Sequence, residues 1–510
     1  MPFVLSGFRL VIMLGIYIFI VLFRPSSKLF KMKAKSKTGK ITLICLGLGL
    51  CLAAGWFTFN SPAAGQFSFD EKGNYQGFEY VKKHHAQYNQ LADSFLEGRL
   101  DLQKDPPEFL KEMKNPYDTT IRDRLEKSTG QEVQKDTAYY NGRYYVYFGV
   151  LPCLTMFLPF KAITGLDFPA VFGIIAMIIL FIIGLFMSIW SIMSRNYPKT
   201  SLGALILTAL GALFATCITM AVTMASFYVL PTVMALALFI WGAFFFTKSK
   251  KHKAFMILGC TCLALTFACR PQIGLLSILL VPLGIHYLLE VKGVWRKILL
   301  IIGVVLPFVI VAAGLGWYNY ARFGSFTDFG ANYNLTFNDM THRTTSLELM
   351  FKSLFYYFIA PFQFSPDFPF LTAFRPDFKF TGTPVIEQIH GGCLFIAPFV
   401  VLGIYAFSSK EVGIKILGVS TVLLVIFIAS LDALGAGIVE RYQMDFMIAL
   451  SILACYGIMH EEQTFTTKRH KQRFHIGLAC LTLATVLIGL MLIYDTDFVT
   501  NIIGYSNYWG

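Results

Sequence analysis

Apolar residues in this chain come in blocks of about 18 to 24, each closed by a short basic or polar break. An α-helix rises about 1.5 Å per residue, so one block crosses a hydrocarbon layer about 30 Å thick. Within such a layer every backbone N–H and C=O must be satisfied internally, which leaves only helices or closed barrels. The blocks are continuous rather than alternating, and that excludes a barrel. Charged residues make up only 14% of the chain and hydrophobic residues 55%, where a soluble chain would carry about 25% charged. The fold class that follows is an all-α polytopic membrane protein, with the lipid bilayer as its solvent.

Lys and Arg cluster in alternate short loops, which is the pattern of cytoplasmic loops. Reading orientation from them predicts twelve spans: 4–23, 41–59, 168–190, 201–220, 223–246, 254–269, 272–289, 298–318, 388–407, 416–434, 443–460 and 476–494. Both termini then lie outside. Residues 1–59 hold two N-terminal spans, 60–167 a large extracytoplasmic loop, 168–319 six spans, 320–387 a second extracytoplasmic loop, and 388–510 the C-terminal spans. The segment 146–165 carries Pro152 and Pro159 and reads as an interfacial or re-entrant piece. The six cytoplasmic loops hold 22 of the 43 basic residues and only four acids, Glu290, Glu411, Glu461 and Glu462. Shifting the frame by one helix inverts that asymmetry. The same distribution explains the net charge of +13 without a nucleic-acid partner. The ten cysteines lie almost entirely in apolar runs with no paired spacing, so neither a disulfide framework nor a metal site is indicated.

The stretch 60–147 is the one long polar segment, and side chains for chemistry are expected there. Residues 87–102 read as an amphipathic helix with Tyr88, Leu91, Ala92, Phe95 and Leu96 on one face and Gly98 as the stop. Such a helix can lie on a membrane surface. Asn115-Pro116-Tyr117-Asp118 is a turn signal. A carboxylate just above the bilayer can act as general base toward an acceptor hydroxyl. The candidates are Asp136, Asp93, Asp118 and Asp70; the plain alternative is a structural role for Asp136, a wet helix face for Asp93 and a turn cap for Asp118. His84-His85 point apart on a helix and read as solvated surface. Ionisable residues at the outer span ends are costly unless they face a cavity or a partner, which singles out Arg270, Arg322, Asp432, Glu440-Arg441 and Asp445. Arg270, Arg322 and Arg441 approach one face, where a guanidinium fork suits a phosphate. Ordinary interfacial anchoring or internal salt bridges are the alternative.

Three stretches together resemble a group of bacterial membrane proteins that look like relatives of the GT-C superfamily of membrane glycosyltransferases, which includes the protein mannosyltransferases and the aminoarabinose transferase. The first is Tyr88…Leu91-Ala92-Asp93…Phe95-Leu96…Gly98-Arg99-Leu100. The second is Asn115-Pro116-Tyr117-Asp118. The third is Tyr139-Tyr140-Asn141-Gly142-Arg143-Tyr144-Tyr145-Val146-Tyr147-Phe148-Gly149…Pro152. Arg322-Phe323-Gly324-Ser325 and Arg441-Tyr442 look similar to the same group's pattern. The resemblance covers the first loop well and the rest of the chain by topology. It implies inverting transfer of a hexosyl or pentosyl group from a polyprenyl-phosphate-linked sugar to an envelope glycan or protein acceptor, on the outer face of the plasma (inner) membrane. It further implies that the arginines hold the lipid phosphate and that Tyr140, Tyr144, Tyr145 and Tyr147 line the sugar or prenyl groove. The chain departs from the group in one respect. The position suited to the family's Asp-Glu pair holds His84-His85, and Asp70-Glu71 lies nearer the preceding span, so the base stays open among the four aspartates. No cofactor is named, and a divalent cation is left open. Two other classes remain: a transporter or flippase for a lipid-linked envelope precursor, and a non-enzymatic envelope scaffold. An almost charge-free mid-membrane and the lack of internal repeats speak against transport.

Overall fold

Serine side chains cap three of the α-helices. The hydroxyls of Ser36, Ser201 and Ser346 accept N–H groups of Gly39, Ala204 and Leu349 at 3.0, 3.3 and 3.0 Å, satisfying donors that a helix start leaves free. The computed structural model describes residues 7–61, 64–70, 72–73, 75–79, 86–342, 346–366, 369–376 and 385–494. Among these, eight helices are long and apolar enough to cross a membrane: Lys37–Phe59, Ala170–Asn196, Leu230–Lys248, Pro271–Leu289, Val294–Phe323, Val412–Gly435, Glu440–Thr464 and Lys468–Tyr494. The chain is an all-α, multi-pass membrane protein by the length and composition of these helices.

The other four expected spans fall on shorter pieces. Residues 4–23 meet the helix Gly7–Phe23 and 254–269 meet Ala254–Phe267. Residues 201–220 divide into Leu202–Ala215 and Ile218–Thr223, because Cys217 takes a left-handed φ of +57° that no helix continues through. Residues 388–407 begin at Gly391-Gly392, where a side chain on Gly392 would meet the Ile359 backbone nitrogen at 2.5 Å. Only Cys393–Ile396 and a tighter 3₁₀ stretch, Pro398–Ser408, are helical there.

The helices pack through small residues, as expected where lipid is as apolar as leucine. Ala170–Asn196 lies against Leu230–Lys248, which in turn lies against Ala254–Phe267. At that second contact a Cβ on Gly242 would sit 3.2 Å from the Gly259 carbonyl, so the two backbones nearly touch. A Cβ on Gly457 would come within 2.5 Å of the Leu402 carbonyl, where Met444–Thr464 packs on Pro398–Ser408. By contrast Val294–Phe323 leaves Leu299, Ile302, Val309, Ile310 and Trp317 exposed. An apolar face of that length suits a lipid neighbour.

One end of the bundle carries both long loops. The helix Gln87–Leu96 ends before Gly98, whose φ is +73°. Its expected apolar face is there, with Tyr88, Leu91 and Ala92 buried, but Leu96 is exposed. That face docks on protein: the Tyr88 hydroxyl donates to the Gly149 carbonyl at 2.8 Å, and Asn89 receives the Phe168 N–H at 3.0 Å. The segment 146–165 holds only a short apolar helix, Cys153–Thr164. It holds a π-helical turn, Cys153–Phe157, and the short helix Leu158–Thr164, stopped by Gly165 at φ +71°. The tyrosine-rich run forms a hairpin, Ala138–Tyr140 against Arg143–Tyr145. Its two-residue turn, Asn141-Gly142, has φ +48° and +75°, the twist that tight hairpins favour. The second loop is tied onto this hairpin: Leu335 accepts the Asp136 N–H at 3.0 Å and donates its own N–H to Thr137 at 2.9 Å.

Candidate functional site

Asp136 occupies the turn that feeds the hairpin, with φ +58°. A left-handed conformation at a non-glycine residue is uncommon, and Asp is among those that tolerate it. The Leu335 contact clamps its backbone, and its carboxylate accepts the hydroxyl of Tyr228. Tyr228 lies just ahead of the helix Leu230–Lys248, so the polar loop and the bundle meet at this bond.

Arg441 reaches the same place from a different part of the chain. The strand Val385–Ile386 runs parallel to Gly437–Ile438, and the Tyr357 hydroxyl donates to the Gly437 carbonyl at 2.9 Å. This pairing brings Glu387 beside Arg441, whose Nη1 lies 2.7 and 2.8 Å from the two carboxylate oxygens. The Arg441 guanidinium stands 5.4 Å from the ring centres of both Tyr228 and Tyr442. Arg270, at the start of Pro271–Leu275, stacks over the other side of this system, 4.6 Å from Tyr442. Its Nε and Nη2 grip Asp445 at 2.6 to 3.0 Å. Asp136, Tyr228, Arg441, Tyr442, Arg270 and Asp445 thus form one connected chain of contacts.

Arg322 ends the helix Val294–Phe323 and is only 5% exposed. Its guanidinium lies 3.6 Å over the Tyr318 ring. Its hydrogen bonds to described residues go to neutral oxygens: the Tyr318 carbonyl at 3.1 Å, the Val146 carbonyl, and Asn319 Oδ1 at 2.9 Å. A buried cation with no carboxylate among its hydrogen-bond partners in the described residues is receptive to an anion.

Asp136, Tyr147, Arg270, Arg322 and Arg441 all line one cavity of about 950 Å³. That volume lies in the range of ligand sites, and the wall mixes these groups with Phe148, Phe267, Leu315 and Leu431. The other three candidate bases lie elsewhere. Asp93 pairs with Lys161 at 2.6 Å, and Lys161 also holds Asp167. Asp118 caps the helix Thr119–Thr129, accepting the Ile121 N–H at 3.1 Å. Asp70 accepts the Lys72 N–H at 2.9 Å within a turn. None of the three lines the cavity.

The expectation that Tyr140, Tyr144 and Tyr145 line a groove is corrected by the hairpin. Alternation in a strand sends neighbours to opposite faces, and here both faces are covered. Tyr140 and Tyr145 pack on Phe323, with ring centres 5.6 and 5.5 Å away. Tyr144 is fully buried against Tyr139. Only Tyr147, beyond the hairpin, reaches the cavity, where its hydroxyl accepts from Asn334 at 2.9 Å. His84-His85 lie outside the described residues. Sequence reasoning missed Tyr228, Glu387 and Asn334. Tyr228 follows Phe227 in an apolar run, and Glu387 is the last acid before one, so neither is marked by its neighbours.

At the rim, Asp339 joins the two loops by accepting from Asn115 at 2.8 Å. Burial opposes its charge, but hydrogen bonds from Thr341, Asn115 and His342 outweigh it and hold the carboxyl down at about 2. Among the described residues no three His, Cys, Asp or Glu side chains cluster to hold a metal ion, and all ten cysteines are free. Comparison with protein-family models, curated proteins and solved structures found no match to this chain.

Proposed function

We propose that this chain is an integral-membrane glycosyltransferase that moves a sugar from a polyprenyl-phosphate donor to an extracytoplasmic cell-envelope acceptor, as its resemblance to the GT-C superfamily implies. In this reading it sits in the plasma (inner) membrane with twelve spans, and both termini and the cavity face outward. The loop charges support that orientation. The observation that carries the reading is the shared cavity of Asp136, Arg270, Arg322 and Arg441, contributed by a polar loop and three separate helix ends.

In the reaction, the Asp136 carboxylate takes the proton of an acceptor hydroxyl as that oxygen bonds to the anomeric carbon. The bond from that carbon to the phosphate oxygen breaks on the opposite face, and polyprenyl phosphate leaves with the electron pair. Tyr228 orients the base. Arg322 stabilises the departing charge, and Arg270 and Arg441, each already balanced by a carboxylate, shape the rest of the wall. Charges already oriented in the cavity wall need no reorganisation at the moment of reaction.

The test uses purified protein in nanodiscs with polyprenyl-phosphate sugars and an acceptor extract, scoring released polyprenyl phosphate. The expected result is release that Asp136→Asn reduces about 100-fold, the scale of a lost general base. Equal release by the variant removes Asp136 as the base, and absence of release across pentosyl, hexosyl and aminosugar donors removes the enzyme reading.

A further inference from the structure

Some hydrogen-bonding capacity on the cavity wall is unused by any described residue. Both carboxylate oxygens of Asp432, the hydroxyl of Tyr318 and the amide oxygen of Asn334 are buried and unpartnered among the described residues. All three residues line the cavity. Buried polar atoms in folded proteins nearly always pair, so each exception asks for a reason.

Asp432 is the most costly of them. It is 2% exposed and lies in the last turn of Val412–Gly435, where the helix end carries partial negative charge and disfavours an acid. Its charged neighbours are Asp445 and Arg270, and these two are already engaged with each other. The Gln272 amide lies beside the carboxylate and favours its charge, but no described group completes a hydrogen bond to either oxygen. Asn or Leu would serve the fold here at less cost. The two oxygens can therefore take hydrogen bonds from a molecule that enters the cavity.

The unused atoms also define what arrives. As a carboxylate Asp432 can only accept, and so can the Asn334 amide oxygen, so the ligand for this state must bring hydrogen-bond donors. We infer that Asp432, with the Asn334 amide oxygen, forms a subsite that reads O–H or N–H donors on the sugar ring of the donor lipid, apart from the guanidinium of Arg322 that receives its phosphate. This rests on the glycosyltransferase reading for its ligand class. A bare lipid phosphate brings no such donors and leaves Asp432 unsatisfied. The subsite therefore distinguishes loaded from spent lipid: it holds the donor before transfer and loses its grip once the sugar has moved to the acceptor, which promotes product release.

The experiment measures binding of polyprenyl phosphate and of its pentosyl, hexosyl and aminosugar derivatives to the full chain in nanodiscs, for wild type and Asp432→Asn, with Tm recorded for both. Wild type is expected to bind at least one sugar-bearing lipid about tenfold or more tightly than bare lipid phosphate, the scale of a hydrogen bond to a charged group. Asp432→Asn is expected to erase that preference, to leave bare lipid phosphate within about twofold, and to keep or raise Tm, because an unpaired buried charge is gone. Loss confined to the aminosugar lipid identifies an ammonium donor, and equal loss for all identifies hydroxyls; both support the subsite. A preference that survives Asp432→Asn overturns it, as does a fall in Tm with uniform loss of binding, which marks a structural partner of Arg270. Equal binding of bare and loaded lipid by wild type overturns the subsite alone. Failure of wild type to bind any polyprenyl phosphate overturns the glycosyltransferase reading and the subsite with it.

Discussion

Replacing Arg270 by Gln removes the cation that holds one wall of the cavity. Asp445 is wholly buried, and both its oxygens are taken by Arg270 Nε and Nη2 at 2.6 to 3.0 Å. Arg270→Gln leaves that carboxylate in the interior without its cation and with Asp432 as a charged neighbour. Breaking one side of a buried pair costs about 3 to 5 kcal/mol, whereas exchanging both partners for neutral groups of similar size is often close to neutral. Asp445→Asn alone costs less than Arg270→Gln, because Arg270 is 17% exposed and lines the cavity, where solvent can take up its charge. The Arg270→Gln/Asp445→Asn double variant is expected within about 1.5 kcal/mol of wild type, which gives a coupling energy of at least about 2 kcal/mol. Asp432→Asn in the Arg270→Gln background recovers part of the loss by removing the second acid. Denaturant unfolding of the purified protein in detergent measures all four variants. Strictly additive costs, or a loss under about 1 kcal/mol for Arg270→Gln, refute the buried-pair argument.

Further predictions follow from single features. Arg322→Lys keeps the charge but loses the planar fork, and affinity for polyprenyl phosphate in a binding titration is expected to fall about tenfold. Gly211→Leu places a Cβ 2.2 Å from the Phe399 ring, and overpacking of this kind costs about 1 to 3 kcal/mol, read as a lower Tm. Asp339 carries a depressed carboxyl at about 2. Its stabilisation is therefore complete above the unfolded value of about 3.9 and is lost as pH falls through about 2. Limited acid proteolysis of the 331–342 region should rise over that window in wild type, and Asp339→Asn should flatten the pH dependence.

The membrane helices were legible because their signal is length: an apolar run long enough to span leaves few alternatives, and most expected spans coincide with long helices. The breaks were less legible. Nothing in 201–220 announces that Cys217 turns left-handed, since the residue is apolar and sits within an unbroken run. Gln87–Leu96 and its Gly98 stop were readable from periodicity, but its partner was not. An apolar face signals burial without saying whether lipid or protein covers it, and here Gly149 and Phe168 do. The arginines and Asp136 were readable as charges near span ends, where desolvation makes an idle charge costly. The aromatic run misled because Tyr140, Tyr144 and Tyr145 fill the hairpin's own packing. The Asn141-Gly142 pair carried the turn signal that composition alone concealed. Tyr228 and Glu387 entered the site only through long-range contacts that no local pattern records.

The central claim is that one cavity lined by Asp136, Arg270, Arg322 and Arg441 receives a lipid-borne phosphate. A cryo-EM map of the protein in nanodiscs containing polyprenyl phosphate tests it most directly. The account predicts phosphate density in that cavity within hydrogen-bonding distance of the Arg322 guanidinium, with the Asp136 carboxylate facing the same space. Headgroup density on another surface, with the cavity closed by side chains, would contradict it.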